Sequence, residues 1–257
     1  MSNTLIDTHA HIFSHEYEND LETVIKNSIA SGVTKIIIPN INADSILPMI
    51  ELCDAYPGIC FPAIGIHPTD IESSPVEQIK CLEKELLKRK FIAIGETGID
   101  LYWDKSNLSN QIVALSTHIK LASSFDLPLI IHSRNSFQET IDTIVTHKKS
   151  NTRGVFHCFS GTYKEACTII ESGFLLGIGG TVTFKNSTLP DILPLIDLKN
   201  IVLETDSPYL APIPYRGKRN EPAYIKDIAR KISDIYTISI DEVAKITTEN
   251  ANILFNF

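Results

Sequence analysis

The sequence predicts an α/β fold, a single (β/α)8 TIM-type barrel. Short β-branched or apolar runs, bounded by turn residues, alternate with longer amphipathic segments. The alternation recurs eight times within 257 residues, about the length that such a barrel fills. Histidines and carboxylates recur at the ends of the short runs, where this fold gathers its active site.

Strands are expected over residues 5–12, 34–40, 60–67, 91–97, 128–133, 154–159, 174–180 and 201–206. Helical patterns separate them. "LETVIKNSIASG" ends in a glycine suited to a helix C-cap. "SSPVEQIKCLEKELLKRK" carries acids early and bases late, which suits the helix dipole. Strands spaced by helices in this way pair in parallel through right-handed crossovers. "TVTFKNSTLPDILPLIDLKN" is interrupted by proline, so only a short helix is expected there. Two further helices, "AYIKDIARKISDIY" and "SIDEVAKITTENANILF", close the chain. With no linker, repeat or low-complexity segment, residues 1–257 read as one domain.

At 43% hydrophobic and 21% charged residues the chain can bury a large core. It lacks an apolar run of membrane-spanning length and a signal-peptide start, so a cytoplasmic protein with no membrane partner is expected. Five cysteines without CxxC spacing suggest reduced, buried thiols. The net charge of −8 argues against a protein that coats nucleic acid by charge alone. It leaves open an enzyme that meets phosphates through bound cations.

The first run, "LIDTHAHIF", holds His9 and His11 one residue apart. On a strand such residues share a face, roughly 7 Å apart along the chain. Asn40, His67, Glu96, His132, His157 and Asp206 stand at the ends of other expected strands, while Gly179 and Gly180 leave room at the seventh. Five of the eight histidines thus fall at one end of the barrel; His15, His118 and His147 lie on loops or helices. Packing does not need such a set, and buried charges are costly unless paired or metal-bound. The set therefore points to a metal site. Alternation puts Asp7 with His9 and His11, and Glu204 with Asp206, one step deeper. Metal-bound imidazoles commonly donate their second N–H to a carboxylate, so Asp7 and Glu204 are expected to be such acceptors. Cys158 has the opposite parity to His157 and should face the helices. "GIGGT" does not fit a phosphate-binding P-loop.

The motifs "DTHAH", "GIHP", "GETGID", "LPLIIHSR", "FHCFSG", "ETDSPYLAP" with "RGKRNEP", and "TTENANILF" occur in this order, each at its expected strand. With them nearly the whole chain resembles the TatD-related deoxyribonucleases, metal-dependent hydrolases of the amidohydrolase-like barrel group. The resemblance implies that His9, His11 and Asp206 hold one divalent metal, that His132 and His157 hold a second, and that Glu96 bridges the two. Glu96 stands where related amidohydrolases often carry a carbamylated lysine, which favours the nuclease-like branch. Members often have a phenylalanine and a glutamine where this chain has Leu115 and His118; changed packing and unchanged chemistry are expected there. Trp103 also departs from the smaller aromatic or polar residue common in the family.

The function implied is hydrolysis of phosphodiester bonds in DNA, as a 3′–5′ exonuclease on single strands. A metal-activated water would attack, and Asp206 would be both ligand and general base. The metal is Mg²⁺ by resemblance, whereas mixed His and carboxylate ligands also suit Zn²⁺, Mn²⁺ or Ni²⁺. DNA is expected as a transient partner, with no obligate protein partner. His67, Arg134 and Ser160 are candidate phosphate contacts; Arg134 could equally form a surface ion pair. Arg216, Lys218 and Arg219 make a basic cluster that could be structural. Tyr102 and Trp103 are placed either to stack on bases or to pack the loop after the fourth strand. Two alternatives stay open: an ester hydrolase such as a D-aminoacyl-tRNA deacylase, and a non-catalytic metal-binding protein.

Overall fold

Eight parallel strands, each hydrogen-bonded to the next in chain order, form one barrel sheet. The structure is a computed structural model that describes residues 4–257. The strands are β1 (Leu5–Asp7), β2 (Val33–Pro39), β3 (Cys60–Ile64), β4 (Ala93–Asp100), β5 (Leu129–Arg134), β6 (Gly154–Phe156), β7 (Phe174–Ile178) and β8 (Ile201–Leu203). Helices α1 (Leu21–Ala30), α2 (Ile46–Ala55), α3 (Pro75–Lys88), α4 (Leu108–Phe125), α5 (Phe137–His147) and α6 (Tyr163–Glu171) carry the crossovers. After β7 comes the short helix α7 (Leu189–Ile192), as its prolines imply, and then the pair α8 (Ile225–Tyr236) and α9 (Ile240–Phe255). No helix among the described residues is long and apolar enough to cross a membrane.

The barrel interior has two chemically distinct levels. Its floor is apolar. Ile6, Ile37, Ala63, Ala93, Ile130, Val155 and Val202 meet one another there, and Leu254 and Phe255 of α9 pack against them. Seven strands each give one residue to this cluster, and Leu175 of β7 packs against it. A second apolar layer lies between the sheet and the surrounding helices. Above the floor the inward positions become histidines and carboxylates.

Closure of the ring depends on chain beyond the regular strands. Past β1, Thr8 N–H donates to Leu203 O at 3.1 Å, His11 N–H to Ser207 O at 2.6 Å, and Asp206 N–H to His9 O at 2.9 Å. β1 is therefore shorter than the expected 5–12, and its pairing with β2 shifts register at Leu5/Ile6. His9 and His11 sit on the irregular continuation that sews the barrel shut.

β4 departs the other way and runs on to Asp100, past the expected end at Thr97. Its register against β5 shifts between Ile94 and Thr97. Strict alternation from the inward Ala93 would turn Glu96 outward; the irregularity re-aims it inward, as bulges beside active sites do. Two glycines allow this. Gly95 and Gly98 both have φ of 153°, a region that L side chains rarely adopt. A Cβ on Gly95 would lie 2.7 Å from Ile130 O, and one on Gly98 would collide with His132 O. The "GETG" motif is thus a backbone device that brings Glu96 against β5.

His118 on α4 supports this region from behind. It is fully buried. Its Nδ1 lies 2.8 Å from Ala114 O and 3.0 Å from Thr97 Oγ1, and its Nε2 accepts from Ile66 N–H at 3.2 Å. It therefore ties α4 to the chain beyond β3 and to the residue after Glu96, away from the mouth as expected. Burial pushes its imidazole down to about 4, so it is neutral in the folded protein at neutral pH. An unfolded histidine binds a proton near 6.5, so the unfolded state takes up more protons between those values. The neutral ring's contribution is full above about pH 6.5 and is lost as pH falls toward 4. His118→Gln should lack this part of the acid destabilisation, on the order of 2 kcal/mol between pH 7 and pH 5. Denaturant unfolding at pH 7 and pH 5 on both proteins measures it; equal pH slopes would contradict it.

Candidate metal centre

Glu96 stands at the centre of the mouth, 3% exposed, with its two oxygens turned to different imidazoles. Oε2 lies 3.2 Å from His9 Nε2 and 3.6 Å from His11 Nε2. Oε1 lies 2.8 Å from His132 Nδ1, 3.1 Å from His157 Nε2 and 3.5 Å from His67 Nε2. Asp206 Oδ1 is 3.8 Å from Nε2 of both His9 and His11. Three groups of potential ligand atoms converge: His9, His11 and Asp206; His9, Glu96 and His157; and His67, Glu96 and His132. Six of the eight strand ends, those of β1, β3, β4, β5, β6 and β8, contribute these side chains.

The far sides of the rings decide which nitrogens are free. His11 Nδ1 lies 3.0 Å from Pro39 O, which can only accept, so Nδ1 carries the proton and Nε2 presents a lone pair. His132 Nε2 lies 3.0 Å from Asp100 Oδ2, and its Nδ1 is the nitrogen that meets Glu96. His157 Nδ1 lies 3.2 Å from Glu204 Oε1, which leaves Nε2 facing Glu96. One nitrogen from each of three imidazoles thus faces the buried carboxylate oxygens. Such a donor set requires positive charge among its members, from protons or from cations. Imidazole nitrogens and carboxylate oxygens at these spacings are ordinary divalent-metal ligands, so the residues fit a metal centre.

The electrostatics agree. Burial would raise the Glu96 carboxyl, but His157, His67 and His9 together hold it well below the usual carboxylate range. Burial opposes a charged His157, yet Glu96 and Glu204 hold its imidazole well above the ordinary value. Burial pushes Asp206 up to about 6 against the pull of His157 and His11. Asp206 also has φ of 57°, a left-handed conformation that Asp and Asn tolerate better than most residues.

Glu204 lies behind the His157 ring, on the side away from Glu96. It reaches His157, and Oε1 also accepts from Cys158 N–H at 2.5 Å. Gly177 makes room for it, since a Cβ there would collide with Glu204 Oε2. Asp7 does not accept from a ligand ring as expected. It accepts from Thr205 N–H at 2.9 Å, Thr205 O–H at 2.5 Å and the backbone N–H of His9 at 3.3 Å, and touches no imidazole side chain. The reason is parity: Ile6 points to the barrel floor, and strand alternation does not carry past Asp7. Asp7 instead fixes the backbone where β1 and β8 join.

The other sequence-derived contacts divide. His67 lies inside the cluster, 3.3 Å from His132 Nδ1, with its own Nδ1 2.7 Å from Thr69 Oγ1. Arg134 lies over the Tyr102 ring at 3.8 Å rather than in an ion pair. Ser160 is exposed and lines a cavity of about 420 Å³ together with His157, Cys158 and residues of α5 and α6. Arg219 is structural: it pairs with Asp20 at 2.6 Å and with Glu221 at 3.1 Å.

Asp100 is a residue of the cluster that the sequence reading did not single out. With β4 expected to end at Thr97, Asp100 counted as loop. In fact it stands opposite Arg134 in the β4–β5 register and shares the inward face with Glu96, four residues on. One carboxylate oxygen takes the His132 ring; the other accepts from Tyr102 N–H at 2.8 Å and Trp103 N–H at 3.3 Å.

The fold and this cluster define a metal-dependent hydrolase of the eight-stranded barrel type. The profile of the family described as TatD related DNase matches residues 6–256. The chain is 36% identical over 252 residues to the uncharacterized metal-dependent hydrolase YabD of Bacillus subtilis, covering 98% of both chains. It is 30% identical over 256 residues to the uncharacterized metal-dependent hydrolase YcfH of Escherichia coli, covering 98% of this chain and 96% of that one. The crystal structure of the E. coli TatD homologue YjjV superposes with a TM-score of 0.90 at 29% identity, covering all of both chains. The chain belongs to the TatD-related DNase family.

The role of Asp100 can be measured. Asp100→Asn keeps the size of the side chain but loses the charge that holds His132 Nε2–H. Affinity for Mn²⁺ or Zn²⁺ should fall about 10- to 100-fold. Isothermal titration calorimetry on wild type and variant reads this directly; equal affinities would show that Asp100 does not serve the metal.

Proposed function

We propose that this protein hydrolyses phosphodiester bonds of DNA as a 3′–5′ exonuclease on single strands, with two divalent ions held at the mouth. His9, His11 and Asp206 would hold one ion and His132 and His157 the second, with Glu96 between the two groups. The observation that carries the reading is Glu96 itself: its two oxygens face separate imidazole groups at 2.8–3.6 Å, the arrangement a bridging ligand needs. The family description as a DNase supports DNA as substrate. Four imidazoles among the ligands suit Zn²⁺, Mn²⁺ or Ni²⁺ more than Mg²⁺, which prefers oxygen.

A pair of divalent cations supplies an acidified water and offsets charge on the attacking and leaving oxygens of the phosphodiester. The chain's own residues do the rest. Asp206 faces the centre of the mouth with 14% of its side chain exposed and accepts the proton of the attacking water. His67 stands beside Glu96 with its side chain 16% exposed, where it contacts a phosphate oxygen. Asp100 and Glu204 keep the His132 and His157 rings oriented. The apolar floor excludes water from below.

The test is a panel of Mg²⁺, Mn²⁺, Zn²⁺ and Ni²⁺ against labelled single-stranded DNA, RNA, abasic duplex and a D-aminoacyl-tRNA. The 3′-labelled and 5′-labelled strands should shorten in the order that 3′–5′ digestion requires. Glu96→Ala should abolish cleavage. Asp206→Asn, which tolerates the left-handed backbone, should fold and lose about 100-fold or more of the rate. Full turnover by Asp206→Asn would remove Asp206 as the base. Cleavage of the aminoacyl ester alone would replace the nuclease reading.

A further inference from the structure

The rim of the mouth carries an unusual exposed pair. Tyr102 is 53% and Trp103 70% exposed, side by side just beyond β4. Their rings meet edge-to-face with centroids 4.9 Å apart. The guanidinium of Arg134 lies over the Tyr102 ring at 3.8 Å and 5.6 Å from the Trp103 ring. Apolar residues of this size normally bury most of their surface, and these two are left in water.

The loop is fixed where it stands. Asp100 accepts from the backbone N–H groups of both aromatics through Oδ1, while its Oδ2 holds the His132 ring. Leu101 N–H donates to Arg134 O at 2.9 Å. Arg134 follows His132 by two residues on β5, roughly 7 Å along the strand. A single carboxylate therefore sets the position of the aromatic pair relative to a ligand imidazole. The cation lies on the same side, against the phosphate backbone that a single strand would bring.

We propose that Tyr102 and Trp103, braced by Arg134, form the platform on which a nucleobase of single-stranded DNA stacks beside the scissile phosphate. The assignment rests on the phosphodiesterase reading above and adds a base-binding subsite to it. Every base has a π-face, so the platform tolerates any sequence and contributes to binding rather than to the chemical step. Arg134 contacts the phosphate next to that base.

Trp103 is the only tryptophan in the chain, so its fluorescence reports on this subsite alone. The experiment titrates chelator-treated wild-type protein, which cannot cleave, with oligothymidylate and with an abasic oligomer of equal length. Thymidylate should quench the fluorescence saturably, and the abasic oligomer should quench it far less. In the metal-loaded enzyme, Trp103→Ala with Tyr102→Ala should raise KM for base-bearing strands about tenfold or more, through KM rather than kcat. The KM for abasic strands should rise far less. Trp103→Phe should keep most of the binding while losing the signal. Equal quenching by both oligomers, or an unaltered KM in the double variant, would overturn the platform. Quenching by thymidylate without cleavage under any metal would sustain the platform while removing the nuclease reading.

Discussion

Everything at the mouth of this barrel answers to one constraint: a carboxylate, Glu96, is buried beneath five imidazoles. A buried charge is tolerated only with close partners of opposite sign. Here the partners come from the ends of strands far apart in sequence, so their positions depend on the whole barrel. The backbone pays for this at β4, where the register shifts and two glycines adopt a conformation closed to other residues. Without Gly98 the strand could not approach His132, and Glu96 would not meet the β5 and β6 histidines.

Orientation is the second element. Each ligand ring that has a partner is held from behind by an acceptor. Pro39 O holds His11 and Asp100 holds His132, while Glu204 Oε1 lies 3.2 Å from His157 Nδ1 without a hydrogen bond. With one nitrogen of each ring so occupied, the other faces the centre. Asp100 reaches further, since its second oxygen sets the loop that bears Tyr102 and Trp103. The chemistry at the centre and the shape of the rim are thus joined by one side chain. Below them the apolar floor, sealed by α9, gives the cluster a rigid base.

Much of this could be read in the sequence. The alternation of runs gave the eight strands and the interrupted α7 segment. The histidines and acids at strand ends gave the cluster, because side chains at the C-terminal ends of parallel strands must converge in a closed barrel. What could not be read was local parity. Alternation is a property of regular strand, and both errors arose where the strand is irregular. Asp7 was assigned a partner across a strand that in fact ends there, and it braces the backbone instead. Asp100 was overlooked because β4 continues through a register shift that no propensity signals. "GETGID" carried one clue, a second glycine and an acid continuing the run. Arg219 forms the structural ion pairs that its loop position allowed, and Ser160 lines a cavity that His157 also lines.

The central claim is that Glu96 bridges two metal ions. Crystals grown with Mn²⁺ or Zn²⁺, measured at the absorption edge of the metal, test it most directly. Two anomalous peaks about 3.5–4 Å apart, one on each side of the Glu96 carboxylate, are the predicted result. One of them should lie against His9, His11 and Asp206, and the other against His132 and His157. A loaded crystal with no peak touching Glu96, or with a single ion held without it, would contradict the account.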